Sequence, residues 1–110
     1  MNTYPNKIWT LTCVYADEKH MIRHPKTGEI KITTTTHTCG YYFAYDEARR
    51  AIAEDQFSMQ ECMYNYLVLE RMSEGIPAMS SIELWFKWSR RKWKPTNKPK
   101  WAKAINWAMG

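Results

Sequence analysis

Ile82-Glu83-Leu84-Trp85-Phe86-Lys87-Trp88-Ser89-Arg90-Arg91-Lys92-Trp93-Lys94-Pro95 alternates apolar Ile82, Leu84, Phe86 and Trp88 with Glu83, Trp85 and Lys87, then meets a polar, basic cluster. Period two marks a strand with one side turned inward. Ser89 to Lys92 reads as a four-residue hairpin loop returning through Trp93 to Pro95, so positive charge sits at a tip where desolvation costs little.

Upstream, Gly75-Ile76-Pro77 breaks the pattern. Before it, Met63 to Arg71 is apolar on both faces around Leu67-Val68-Leu69, as a central covered strand would be. A helix over 58–71 is the competing reading. Lys7 to Ala16 places Trp9, Leu11, Cys13 and Tyr15 on one face at period two, and Glu29 to Cys39 reads as its hairpin partner. Pro25-Lys26-Thr27-Gly28 between them is a turn signal. A helix opening at Tyr45-Asp46-Glu47-Ala48 and running to about Gln56 has Asp46 as its cap and a narrow stripe of Ala48, Ala51 and Ile52 that Asp55 could extend. Pro99 opens a second helix over Lys100 to Ala108, with Trp101, Ile105 and Ala108 on one face.

The expected fold is therefore α+β: a small antiparallel sheet of about five strands, one helix across it and a C-terminal helix. A chain of 110 residues has room for one core, so residues 1–110 form a single domain. Hydrophobic residues at 45% and charged residues at 25% match ordinary globular usage, which excludes a disordered chain. No apolar run reaches 18 residues, and Met1 to Lys7 lacks the charged-then-apolar pattern of a signal peptide, so the expectation is a cytoplasmic protein without membrane contact.

The net charge of +5 conceals an asymmetry. Residues 1–83 hold eight Lys/Arg against all eleven Asp/Glu, a balance of −3. Residues 84–110 hold the other eight, Lys87, Arg90, Arg91, Lys92, Lys94, Lys98, Lys100 and Lys103, and no acid. Five of the six tryptophans, Trp85, Trp88, Trp93, Trp101 and Trp107, lie in the same segment. Cations interleaved with flat rings suit a phosphate-bearing ligand with stackable bases. Equally, the tryptophans could be core and the lysines a solvated rim. On the first reading the site comprises Trp85, Lys87, Trp88, Arg90, Arg91, Lys92, Trp93, Lys94, Lys100, Trp101 and Lys103. Arg90 and Arg91 would contact phosphate bidentately while Trp88 or Trp93 stacks on a base.

Cys13, Cys39, His20, His24 and His37 raise a zinc reading, but there is no Cys-x-x-Cys knuckle and His24 precedes Pro25 in a turn. Reduced thiols in the core, Cys62 included, are the expectation, with no metal and no cofactor. No nucleophile motif or phosphate-cradling glycine loop is present, and Glu47, Glu54, Asp55 and Glu61 are offset by Arg49 and Arg50. The chain is thus expected not to be an enzyme, a phosphodiesterase using His20 or His37 being the open alternative. Thr33 to Thr36 place hydroxyls on both faces of a strand. They either meet ribose or phosphate oxygens or keep an edge strand polar.

Gly40-Tyr41-Tyr42, Tyr45-Asp46-Glu47-Ala48, Tyr64-Asn65-Tyr66-Leu67-Val68-Leu69-Glu70 and Trp85-Phe86-Lys87-Trp88 follow one another in an order that resembles small uncharacterised single-domain proteins of phages and their bacterial hosts. The resemblance spans roughly residues 38–95 and implies a context rather than an activity. Very small standalone phage proteins often act by binding, either holding a signal nucleotide away from a host defence or occupying a nucleic-acid groove in a defence nuclease. The reading that follows is a non-enzymatic phage-type protein that sequesters an anionic nucleotide, working as a homo-oligomer in the cytoplasm of an infected host. A basic protein that binds nucleic acid, or inhibits a host defence nuclease, is the alternative.

Overall fold

Leu11 and Cys13 on one side of β1 (Lys7–Ala16), with Val14 and Ala16 on the other, join two different buried clusters, so this strand is covered on both faces. The computed structural model describes residues 7–55, 63–73, 79–104 and 106–109. In chain order β1 is followed by a 3-10 turn (Glu18–His20), β2 (Ile22–Arg23), β3 (Ile30–Lys31), β4 (Thr34–Tyr42), α1 (Tyr45–Ala53), β5 (Tyr66–Ser73), β6 (Met79–Ser89), β7 (Lys92–Thr96) and a 3-10 turn (Trp107–Met109). Five strands form one antiparallel sheet in the order β4-β1-β5-β6-β7, and β2 pairs with β3 in a separate ribbon.

Residues Tyr66 to Glu70 of β5 are all buried, as expected for the middle strand of a sheet packed on both sides. Each of Leu67, Val68 and Leu69 contributes about 1.5–3 kcal/mol by leaving water. On the first face, Leu11, Cys13, Leu67, Leu69, Phe86 and Trp93 pack beneath Ala48 and Ile52 of α1. On the second, Val14, Tyr66, Val68 and Trp85 pack beneath Trp101, Ala102 and Trp107. The strand reading of 63–71 thus holds from Tyr66 onward, and residues 58–62 of the competing helix lie outside the described residues.

The structure corrects three expectations. Residues 29–39 do not form one strand. Ile30 and Lys31 turn away to pair with β2, and the partner of β1 begins at Thr34. Asp46 does not cap α1. The cap position is Ala44, and Asp46 sits inside the first turn, where its charge meets the positive end of the helix. The expected end of α1 at Gln56 lies outside the described residues, and the helix closes at Ala53.

The third correction is the C-terminal helix. The described residues of 100–109 contain a turn at Lys100–Trp101, irregular chain, and only a 3-10 turn at the end. Trp101 and Trp107 explain the difference. Both rings pack edge-on against Trp85, with centroids 5.9 and 5.1 Å away. Six residues apart on an α-helix, they would point about 120° apart and could not share one target. Unwinding lets both reach the sheet, and Asn106 takes a left-handed φ of 56° between them. Fully buried Glu70 then accepts the backbone N–H groups of Trp107 and Ala108 at 3.0 and 3.1 Å, while Asn106 Oδ1 accepts Ser80 N–H at 2.6 Å.

Candidate anion-binding site

Three buried tryptophans each give their indole N–H to a carboxylate. Trp85 donates to Glu83 at 2.7 Å, Trp93 to Asp55 at 3.1 Å, and Trp101 to Glu18 at 3.0 Å. A buried indole N–H without an acceptor costs free energy, so these acids are structural partners. Glu18 also accepts from Tyr66 Oη at 2.8 Å, and Glu83 pairs with Lys98 at 2.9 Å. Burial and the neighbouring Glu18 carboxylate push the Tyr66 hydroxyl far above the usual phenol range. Much of the negative charge is therefore bound to internal donors.

The sequence-derived site residues separate accordingly. Trp85, Trp93 and Trp101 are core. Trp88 is half-buried and packs against Trp93 with centroids 5.1 Å apart, on the α1 side of the sheet. Lys87 lies on the opposite side, its Nζ 5.6 Å from the centre of the Tyr66 ring. Lys94 is directly across the ladder from Lys87, and Lys92 pairs with Ser89 one step nearer the tip. Register partners in an antiparallel pair share a face, so Lys87, Lys94 and Lys92 form a row there. Arg90 and Arg91 are exposed at the tip, each with a left-handed φ, 53° and 66°. Only these two residues separate β6 from β7, and positive φ at both matches a type I′ turn rather than the longer loop expected.

Behind this row is a cleft of about 320 Å³ lined by Arg23, Lys87, Lys100, Glu18, Tyr66 and Trp101, among others. Three cations from β2, β6 and the segment after β7 converge on it against a single carboxylate that already accepts two hydrogen bonds. Lys103 faces a neighbouring cleft of about 390 Å³ with Lys31, Thr34 and Trp107. Arg23 and Lys31 were missed from sequence because nothing in Met21-Ile22-Arg23 or Ile30-Lys31 signals proximity to residues 87–103. The short β2–β3 ribbon brings them there.

Two of the three histidines of the zinc reading, His20 and His24, have local roles. His20 bonds the Asp17 carboxylate, and His24 Nδ1 accepts the N–H groups of Lys26 and Thr27, closing the turn before Gly28. Among the described residues, no three His, Cys, Asp or Glu side chains gather as a metal-holding group. Also among them, no helix is long and apolar enough to cross a membrane. Comparison with protein-family models, curated proteins and solved structures returned no match to this chain.

Proposed function

We propose that this protein is a non-enzymatic binder of an anionic, phosphate-bearing ligand of nucleotide size, seated in the cleft between the β2–β3 ribbon and the β6–β7 hairpin. The observation that carries the reading is the convergence of Arg23, Lys87 and Lys100 on one cleft where Glu18, the only carboxylate among the described residues that line it, is occupied by Tyr66 and Trp101. Like charges brought together by three separate elements repel, and an anion between them removes the penalty. A volume of about 320 Å³ is at the small end of ligand sites, which suits a mononucleotide or part of a cyclic one. Trp85, Trp93, Tyr66 and Trp101 are all buried and offer no stacking face, so base contacts fall to the edges that Tyr66 and Trp101 present in the cleft wall and to whatever a second copy supplies. Sequestration of a signal nucleotide against a host defence is the role that the phage-like arrangement of residues 38–95 favours.

A second reading has its own support. Exposed Lys87 and Lys92, half-buried Lys94 and the exposed Arg90-Arg91 tip make a cation row along one hairpin, a shape that also follows a polynucleotide backbone.

Thermal melting against cyclic dinucleotides, ADP-ribose derivatives and short DNA and RNA, at about 0.1 and 0.5 M salt, separates the readings. A small nucleotide at 100 times its Kd should raise Tm by roughly 10 °C at both salts, and the double variant Lys87→Glu with Lys100→Glu should lose that shift. Shifts given only by polynucleotides and lost in salt would replace the first reading with the second. No shift with any of them would overturn both.

A further inference from the structure

Cys13 and Cys39 are brought together by a defect in the sheet. Along β1 and β4, Leu11 pairs with Gly40 and Thr12 with Thr38, so Cys39 is the extra residue of a β-bulge. In a flat ladder Cys39 would be diagonal to Cys13, whose partner is His37, with Cβ atoms roughly 7–8 Å apart. The bulge instead sets the two sulfurs 2.7 Å apart. A disulfide bond is about 2.05 Å long, so closing one requires an approach of roughly 0.7 Å.

We infer that Cys13 and Cys39 form a reactive dithiol pair that closes to an intrachain disulfide when it meets a peroxide. The division of labour follows from exposure. Cys39 is partly exposed and Cys13 is fully buried, so Cys39 meets the oxidant and Cys13 resolves the product. The Cys13 thiol donates to the Cys39 sulfur and holds the Cys39 thiol below its usual pKa, even though burial pushes the other way. A larger thiolate fraction favours attack.

In the first step the Cys39 thiolate attacks one oxygen of hydrogen peroxide, the O–O bond breaks, and the expelled hydroxide takes a proton to become water. Cys39 becomes a sulfenic acid. In the second step the Cys13 sulfur attacks the Cys39 sulfur, the S–O bond breaks, and the oxygen leaves as water carrying the Cys13 proton. Two thiols and one peroxide give one disulfide and two waters. The bond staples the edge strand β4 to β1 across the bulge.

The test uses the full chain carrying Cys62→Ser, which removes the third thiol. After one equivalent of hydrogen peroxide, denaturing alkylation and trypsin digestion, peptide masses should show residues 8–19 joined to residues 32–49 with the loss of two hydrogens. The oxidised protein should melt at a higher temperature, and dithiothreitol should reverse both changes. Adding Cys39→Ser should leave Cys13 fully alkylated, a control that does not depend on replacing the buried Cys13. The inference is overturned if both cysteines remain alkylatable after peroxide, or if Cys39 proceeds to sulfinic acid without a cross-link.

Discussion

Replacing Arg90 by Asn and Arg91 by Gly should stabilise the fold while weakening binding to anions. Both arginines occupy the left-handed region, at φ 53° and 66°, in a two-residue turn between Ser89 and Lys92. That region costs an ordinary L-residue roughly 1–2 kcal/mol, whereas Asn and Gly tolerate it and are the preferred pair for a type I′ turn. Glycine returns about 0.5–1 kcal/mol of this through its unfolded-state freedom. Asn keeps part of the left-handed cost at position 90, so the net gain is about 1–2 kcal/mol. Unfolding entropy near 2.1 cal/mol/K per residue over 110 residues makes that a Tm rise of about 4–8 °C. Circular-dichroism melting at about 0.3 M salt mutes the separate benefit of removing two cations beside Lys92. The control, Arg90→Lys with Arg91→Lys, keeps charge and backbone strain alike and should melt with the wild type. If both guanidinium groups contact phosphates, the salt dependence of duplex-DNA binding should lose about 1.8 units of log–log slope in the Asn-Gly variant. An unchanged or lowered Tm would refute the reasoning, since the arginines would then be stabilising the turn rather than strained by it.

Other perturbations probe the second face. Burial raises the Glu70 carboxyl above its ordinary pKa, against the opposing pull of the Trp107 and Ala108 N–H groups. Its contribution is therefore fullest below the unfolded carboxylate value of about 4.3 and fades as pH rises through the higher folded value. Glu70→Gln should melt lower than wild type, with a gap that narrows from pH 4 upward; a widening gap would contradict this. Trp107 Nε1 is buried with no partner among the described residues, whereas Trp101 Nε1 holds Glu18. Trp101→Phe should therefore cost roughly 1–2 kcal/mol more than Trp107→Phe in urea unfolding, and equal losses would show that packing alone sets both.

Period two in Lys7–Ala16 and Ile82–Trp88, and the double-sided apolar run at Leu67-Val68-Leu69, were enough to read the main strands, because a strand's alternation is local to its own residues. The narrow Ala48, Ala51 and Ile52 stripe likewise announced a helix laid across a sheet, and all three are buried. The reading failed at the C-terminus for a physical reason. Pro99 and the Trp101, Ile105, Ala108 spacing satisfy helix rules, but two tryptophans six residues apart both gain more by packing on Trp85 than the backbone gains from helical hydrogen bonds. Propensity is decided residue by residue, whereas that competition exists only once the sheet is there.

The candidate site divides along the same line. Sequence by itself determined the charge asymmetry and the cation-bearing hairpin, since both are counts along the chain. Tertiary structure alone decided which tryptophans are core: Trp85, Trp93 and Trp101 each meet a carboxylate, and Trp107 is buried by packing on Trp85. Glu18, Glu83 and Asp55 come from the 3-10 turn after β1, from β6 and from the turn after α1 to meet those three indoles. It also brought Arg23 to Lys87 and Lys100, and the Cys39 sulfur to that of Cys13, across separations that no local pattern encodes. The first meeting depends on the β2–β3 ribbon and the second on a one-residue bulge between β1 and β4, both features of the folded backbone.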